Sequence, residues 1–352
     1  MNRLSEYQRD LEALRFTEEQ KQDLVRRTLQ AAGQRSQPVR RRPVLRTGLI
    51  AAALAAVLAV GAGASGVLRP VTEVFAPVFG GSAAQTEIIG KIGYPIGASD
   101  TDNGVTITAD AIIGDAYNAC VVFTITREDG EVFDYQGNEY GYMPLLFNND
   151  SLDLGVWGGS HGSRYFIDQT PGDNTIQCVV TRTSDVPLRR GTARAVFEDL
   201  CVWEDTQKPT PLVKGKWDLK FDMDYEDASV TLGGGETFQQ SGMTFTVDEI
   251  TVSPVAVRVA YTVDSAAQWS DAPSGRQSDA DRQTMQRYFD DVEILLTKTD
   301  GTVLDMSNSG GSISPEDGVT RCTKGRILEQ IIPLEELESI SVGGVVYDIP
   351  VQ

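Results

Sequence analysis

Three segments of this chain carry residue types that could do chemistry. The first, Gly158-Gly159-Ser160-His161-Gly162, fits the G-x-S-x-G pattern of a nucleophile elbow. That elbow lies at a strand-to-helix turn and uses a histidine from far along the chain. Here the single histidine, His161, is adjacent to the serine, and the surrounding pattern indicates strands and loops. We therefore interpret the motif as a glycine-rich loop and predict no catalytic residues and no enzyme.

The second segment, Asp100-Thr101-Asp102-Asn103-Gly104, resembles the start of a calcium-binding loop. Its glycine is at position 5 instead of position 6, and position 12 is Ala111 instead of glutamate. We interpret it as a polar turn. With one histidine and four cysteines without CxxC spacing, the sequence predicts no metal site and no cofactor.

The third segment, residues 135–166, concentrates aromatic side chains in a polar stretch that is rich in loops. Such a cluster either stacks on a sugar or a peptide, or forms a small core beneath long loops, and we expect the second. Its members are Tyr135, Tyr140, Tyr142, Phe147, Trp157, Tyr165 and Phe166.

Charge divides the 352 residues into three blocks. Residues 1–46 carry a net charge of +5, residues 47–68 carry no charge, and residues 69–352 carry −24. As a helix, the uncharged block would measure roughly 33 Å, enough to cross a bilayer. Six arginines in 27–46 predict a cytoplasmic N-terminus and an extracellular C-terminal region in the cell membrane. A cleaved signal peptide is the alternative, but 46 residues before the apolar block exceed a normal n-region.

The predicted cytoplasmic tail, 1–46, contains two short amphipathic helices that cannot bury a core of their own. Their apolar stripes are expected to bind a protein partner, or each other in a dimer, and the small residues of 47–68 would permit a homodimer through the membrane helix. The acidic remainder argues against nucleic acid as a partner. The stripe residues are Leu4, Tyr7, Leu11, Leu14, Leu24, Val25 and Leu29.

The external region contains an internal repeat of short alternating runs. Residues 103–125 align with residues 241–263 at an offset of 138, with identical pairs such as Asp110/Asp248 and Thr124/Thr262. ITREDGEVFD (125–134) also parallels LTKTDGTVLD (296–305), which predicts type I′ hairpin turns at the two Asp-Gly pairs and an insertion with a helical patch around 265–290.

The repeat of short strands predicts two tandem immunoglobulin-like β-sandwich domains. Together with the tail and the apolar block, this gives a mainly β fold class: short cytoplasmic helices, one transmembrane helix, then the two sandwiches. The predicted parts are a tail at 1–46, a span at 47–68, a stalk at 69–85, a first sandwich at 86–227 and a second at 228–352.

Export would permit disulfides. Cys178 and Cys201 lie on neighbouring strand-like runs and form the best candidate pair. Cys120 aligns with Arg258 in the repeat, which predicts an outward-facing free thiol.

The tail LRFTEEQKQDLVRR (14–27), the apolar block and NGVTITADAIIGDAYNACVVFTITREDG (103–130) together resemble bacterial single-pass membrane proteins of the domain-of-unknown-function family 4179. The resemblance implies an anti-sigma-factor-like regulator: an external region that binds an unknown ligand, and a tail that binds a cytoplasmic sigma factor. It implies no catalytic residues. The alternative is a structural or adhesive cell-surface protein without a cytoplasmic partner.

Overall fold

The computed structural model describes residues 68–156, 158–203, 208–271 and 277–350, which all belong to one compact unit of the chain. These residues are mainly β-structure, as the sequence predicts. Their strands form four antiparallel sheets, which enclose two separate apolar cores.

The first sandwich is built from residues 94–223. Its strands are β1 (Tyr94–Asp102), β2 (Val105–Gly114), β3 (Asn118–Arg127), β4 (Leu145–Asp153), β5 (Ser160–His161), β6 (Arg164–Ile167), β7 (Thr175–Ser184), β8 (Gly191–Val202) and β9 (Thr210–Met223). One sheet has the order β1-β2-β3-β7-β5, with β6 also paired to β7, and the other has the order β4-β8-β9. Side chains from both sheets fill the core, where Phe123 and Phe197 meet edge to face at 5.0 Å between ring centroids.

The second sandwich is built from residues 230–349. Its strands are β10 (Val230–Leu232), β11 (Thr237–Gln240), β12 (Met243–Val252), β13 (Ala256–Val263), β14 (Ile294–Lys298), β15 (Val303–Asp305), β16 (Gly310–Pro315), β17 (Thr320–Ile327), β18 (Leu337–Val342) and β19 (Val345–Asp348), with a 3₁₀ turn at Leu334–Glu336. One sheet has the order β10-β12-β13-β17-β16, with β11 also paired to β12, and the other has the order β15-β14-β18-β19.

The two sandwiches repeat one another in strand order and in local detail. β2-β3-β7 corresponds to β12-β13-β17, and β4-β8-β9 corresponds to β14-β18-β19. The aligned residues Asp110 and Asp248 both lie where the strand register shifts at a β-bulge. Thr124 Oγ1 donates to Asp110 Oδ2 at 2.5 Å, and Thr262 Oγ1 donates to Asp248 Oδ2 at 2.7 Å. The identical pairs of the alignment therefore make the same hydrogen bond in each copy.

The type I′ turns occur at other positions than predicted. They are Asn103-Gly104 and Ser241-Gly242, in which both residues have a positive φ. Asp300-Gly301 does join a hairpin, between β14 and β15, but only Gly301 has a positive φ there. Asp129-Gly130 ends β3 without a following paired strand.

The alignment at offset 171 thus joins strands that are not equivalent, because β14 pairs with β18 and so corresponds to β4. The longer connection of the second copy, 264–293, does contain a helical patch, as predicted. It consists of α3 (Asp279–Met285), which continues into a π-helix at Gln286–Asp290. The buried Lys324 ammonium donates to the carbonyls of Phe289 and Val292 at the end of this segment, at 2.7 and 3.1 Å.

Two helices, α1 (Val71–Phe79) and α2 (Ala83–Ile92), are found where the sequence suggests a stalk over 69–85. Ser82 and Gln85 form a capping box that starts α2: the Gln85 amide donates to Ser82 Oγ at 3.3 Å. We call α1 and α2 the helical hairpin. Its apolar side chains pack on the outer face of the first sheet and on the second sandwich, in a third core that includes Phe75, Ile113 and Val255.

The predicted fold class is corrected with respect to its transmembrane helix. Within the described ranges, no helix is long and apolar enough to cross a membrane. The two helices nearest the apolar block have 9 and 10 residues, whereas a span needs about 20. The predicted span itself, 47–68, lies outside the described residues except for Leu68, and so do the short helices predicted within 1–46.

Candidate functional site

The Ser160-His161 pair forms the short strand β5, which pairs with Ser184 and Thr183 of β7. His161 Nε2 lies 3.3 Å from the backbone carbonyl oxygen of Gly325 on the second sandwich, while Ser160 is exposed. The serine therefore does not occupy a strand-to-helix turn. His161 instead contributes to the contact between the sandwiches.

The aspartates of the Asp100–Gly104 segment close one side of the first sandwich. Asp100 Oδ2 accepts a hydrogen bond from the Asp218 amide at 2.8 Å, and Asp102 Oδ2 accepts one from the Lys216 amide at 2.8 Å. Both amides belong to β9, so the side chains satisfy backbone donors along the margin of the opposite sheet. Their spacing of two residues is the period of a strand.

The structure does not contain the predicted disulfide: Cys178 and Cys201 are both buried free thiols, and Cys201 does not belong to the core cluster that contains Cys178. Cys178 lies in the core of the first sandwich, and burial raises its pKa to about 12. Cys120 does lie on the outer face of its sheet, as the alignment with Arg258 suggested, but the helical hairpin covers it. The order of two strands in the sequence does not show whether their cysteines face the same core.

The aromatic cluster divides into two groups. Phe147 and Phe166 are buried in the core of the first sandwich, and Tyr135 packs against that core. Tyr140, Tyr142 and Tyr165 instead form a row beside it, with centroid distances of 6.2 Å between the first two rings and 4.6 Å between the last two. We call these three the tyrosine row. Trp157 lies outside the described residues.

The tyrosine row lines a cleft of about 670 Å³ between the two sandwiches and the helical hairpin, which we call the junction cleft. This volume is within the usual range for small-ligand sites, about 300–1,000 Å³. Besides the tyrosine row, the cleft is lined by Val78, Phe79, His161, Gly162, Ser163, Thr181, Thr183, Gly310, Gly325, Arg326, Ile327, Leu328 and Glu329.

The loop that carries the first two tyrosines is held by Asn138. Its side-chain oxygen accepts hydrogen bonds from the amides of Tyr140 and Tyr142, both at 3.0 Å. Gly141 makes the turn possible with a φ of 76°. On this loop, Tyr140 is 72% exposed and Tyr142 is 41% exposed.

Part of the lining of the junction cleft is polar. Ser163 and Thr181 share a hydroxyl–hydroxyl hydrogen bond of 2.9 Å. Arg326, at the end of β17, donates to Glu329 at 3.2 Å. One cation and one anion thus line the cleft and neutralise each other.

Beside the cleft, a buried polar network joins the sandwiches. Asp115 accepts hydrogen bonds from the amides of Tyr117 and Asn118, from the Asn118 side chain, and from Ser253 Oγ at 2.6 Å. Burial raises the pKa of Asp115. Asp115 and Ser253 are separated by the repeat offset of 138, so equivalent turns of the two copies face each other. The contact resembles the isologous contact of a symmetric dimer.

A second junction contact uses Arg258, the residue aligned with Cys120. Its guanidinium lies 3.9 Å from the centroid of the Tyr117 ring and donates to Glu249 at 3.1 Å. The Tyr117 hydroxyl donates to the same glutamate at 3.0 Å. Asp185 adds a third contact, because Oδ1 accepts from Thr323 Oγ1 at 2.7 Å and from Ser312 Oγ at 3.1 Å.

The sequence pointed to the tyrosines and His161 but missed Asp115, Arg258 and Arg326. The repeat offset was the available signal for Asp115, since it pairs this residue with Ser253. Within the described ranges, no group of three or more His, Cys, Asp and Glu residues is arranged to hold a metal ion.

No protein-family model matches this chain, and no curated protein does. Among solved structures, the chain is similar to "The crystal structure of the conserved domain protein from Bacillus anthracis". The two are 18% identical over 80% of each chain, with a TM-score of 0.47. A likeness at this level supports no conclusion about function, and the resemblance to family 4179 stays a prediction.

The tail residues predicted to bind a partner lie outside the described residues. They are Leu4, Tyr7, Leu11, Leu14, Leu24, Val25 and Leu29. Their role stays a prediction from the sequence.

Proposed function

We propose that residues 68–350 form a non-catalytic ligand-binding module whose ligand occupies the junction cleft. The observation that carries the proposal is the make-up of this cleft: the tyrosine row and His161 from the first sandwich face Arg326 from the second, and α1 contributes Val78 and Phe79. A molecule bound there touches all three parts at once. Binding would therefore stabilise their arrangement, which is what a sensing module requires.

The groups that line the cleft support binding more than catalysis. His161 contacts a backbone carbonyl, and the hydroxyls of Ser163 and Thr181 bond to each other. The acidic group that lines the cleft, Glu329, is paired with Arg326. This lining offers exposed rings and hydrogen-bonding groups without an activated nucleophile.

We further propose that both sandwiches are immunoglobulin-like. In the first sandwich, β2-β3-β7-β6 and β4-β8-β9 follow the A-B-E-D and C-F-G orders of that architecture, with β1 added at one edge. In the second, β12-β13-β17-β16 and β14-β18-β19 follow the same orders. Immunoglobulin-like domains bind through many different surfaces, so this assignment agrees with a binding role without specifying a ligand.

The experiment for the binding proposal is a thermal-shift screen of the full-length chain. The library should contain neutral oligosaccharides, proline-rich peptides, quaternary amines and organic anions. We expect at least one class to raise the melting temperature of the wild-type chain and of Trp203→Ala, but not of Tyr142→Ala. Trp203 is the control because it is an exposed aromatic residue, 52% accessible, that does not line the cleft. If no stabilisation depends on Tyr142, the cleft is not a binding site.

The sequence supports a second half of the proposal, in which residues 1–34 bind a cytoplasmic sigma factor and transmit the state of the binding module. Two apolar stripes without a core of their own support it. Co-purification of a sigma factor with the full-length chain, abolished by Leu11→Asp or Leu24→Asp, would bear this out. If no protein co-purifies with the full-length chain, the result favours the alternative, a structural or adhesive surface protein. The extracellular location stays a prediction from charge asymmetry.

A further inference from the structure

We infer that the ligand of the junction cleft is a neutral oligosaccharide. The inference rests on the proposed binding function and adds the chemical class of the ligand. Three features of the lining support it: exposed ring faces, hydroxyl groups that both donate and accept, and no net charge.

The first feature is the presentation of the tyrosine row. Tyr140 is 72% exposed, although its ring belongs to a loop that Asn138 fixes through two hydrogen bonds to backbone amides. An exposed tyrosine ring offers a flat apolar surface, and a loop whose backbone is already held loses less conformational entropy on binding. The apolar C–H face of a pyranose ring suits such a surface, while its hydroxyl rim stays hydrated or bonds to neighbours.

The second feature is the hydrogen-bonding character of the walls. A sugar hydroxyl donates one hydrogen bond and accepts others, so it suits partners of both kinds. Hydroxyls of Ser163 and Thr181 can act either way, the Arg326 guanidinium donates, and the Glu329 carboxylate accepts. Arg326 and Glu329 lie 3.2 Å apart, so adjacent hydroxyls of one sugar ring can contact both.

The third feature is electrostatic. Arg326 and Glu329 cancel, so the lining has no surplus charge for a charged ligand. Residues 69–352 carry −24, so an anionic ligand would also be repelled by the rest of the protein.

The test is a glycan array probed with the full-length chain, followed by calorimetric titration with the soluble neutral oligosaccharide that gives the strongest signal. Chitohexaose, cellohexaose, maltoheptaose and mannohexaose serve as the starting probes. We expect Tyr142→Ala and Tyr140→Ala each to weaken binding about tenfold or more, and Trp203→Ala to leave it unchanged. Arg326→Gln should also weaken binding, because the guanidinium donor is lost.

Two results would overturn the inference. If the array gives no neutral glycan whose binding depends on Tyr142, while a proline-rich peptide or a charged compound from the thermal-shift screen does depend on it, the ligand class is wrong and the binding proposal stands. If no compound of any class depends on Tyr142, both are wrong. Circular dichroism of each variant confirms that lost binding does not reflect unfolding.

Discussion

Asp115 shows how one side chain joins the two halves of the described chain. Its carboxylate accepts four hydrogen bonds, one of them from Ser253 of the other sandwich. We expect Asp115→Ala to lower the free energy of unfolding by about 2–4 kcal/mol, because buried donors lose their acceptor. Asp115→Asn should cost less, since the amide oxygen can still accept from the Tyr117 and Asn118 amides. Urea unfolding of the three proteins measures these differences.

The same residue has a pH signature with a definite sign. Burial raises the folded-state pKa of Asp115 above its ordinary value of 3.8. Between that value and the folded-state pKa, the folded protein binds more protons than the unfolded chain, so stability from this group falls as pH rises. The stability of the wild type relative to Asp115→Asn should therefore decrease with increasing pH across this window. If this relative stability instead increased with pH, folding would favour the ionised carboxylate of Asp115 over its protonated form.

At the scale of elements, the two β-bulges form a matched pair. Thr124 donates to Asp110 and Thr262 donates to Asp248 in the same geometry, but Asp110 is 6% exposed whereas Asp248 is exposed. We expect Thr124→Val to cost about 1–2 kcal/mol and Thr262→Val less than about 0.5 kcal/mol, because only the buried carboxyl loses a partner that water cannot replace. Chemical denaturation of both variants measures the difference.

Removal of the Thr124 hydroxyl has a second consequence. Burial raises the pKa of Asp110 above its ordinary value, and the hydrogen bond from Thr124 partly opposes that rise. The pKa of Asp110 should therefore rise further in Thr124→Val, which carboxyl chemical shifts in a pH titration would record. Equal costs for the two valine variants would contradict the view that burial sets the strength of this repeated bond.

At the scale of the whole molecule, the sandwiches should unfold as one cooperative unit. Arg258 lies on the Tyr117 ring at 3.9 Å, and both side chains donate to Glu249. A double-mutant cycle with Tyr117→Leu and Arg258→Met should give a coupling energy of about 1–2 kcal/mol, because the contact between the buried guanidinium and the aromatic ring exists only when both residues are present. Differential scanning calorimetry measures each corner of the cycle.

The number of calorimetric transitions shows whether the two sandwiches unfold together or separately. One transition for the described region in the wild type, and two in Arg258→Met/Asp115→Ala, would show that the polar network couples the sandwiches. Two transitions already in the wild type would mean that the sandwiches unfold independently of each other when no ligand is bound.

Local patterns in the sequence determine much of this fold. Alternation predicts mainly β-structure, and the 138-residue offset pairs Asp110 with Asp248 and Thr124 with Thr262 from the sequence alone. Those predictions succeed because strand periodicity and bulge geometry depend on neighbouring residues. The pattern failed for the helical hairpin, where short apolar runs broken by glycine and proline indicate no clear period. The helices owe their stability to the sheet face on which they pack.

The junction cleft could not be predicted from the sequence and is formed only by the tertiary structure. Phe79, Tyr142, His161 and Arg326 come from separate elements of the chain, and they line one cleft where the two sandwiches and the helical hairpin adjoin. Tertiary structure also decided the cysteines, since Cys178 belongs to the core of the first sandwich whereas Cys201 does not, and both are free thiols. The packing of one sheet face on another sheet or helix depends on apolar surfaces that are far apart in the sequence. Local periodicity contains no information about which of these surfaces come together.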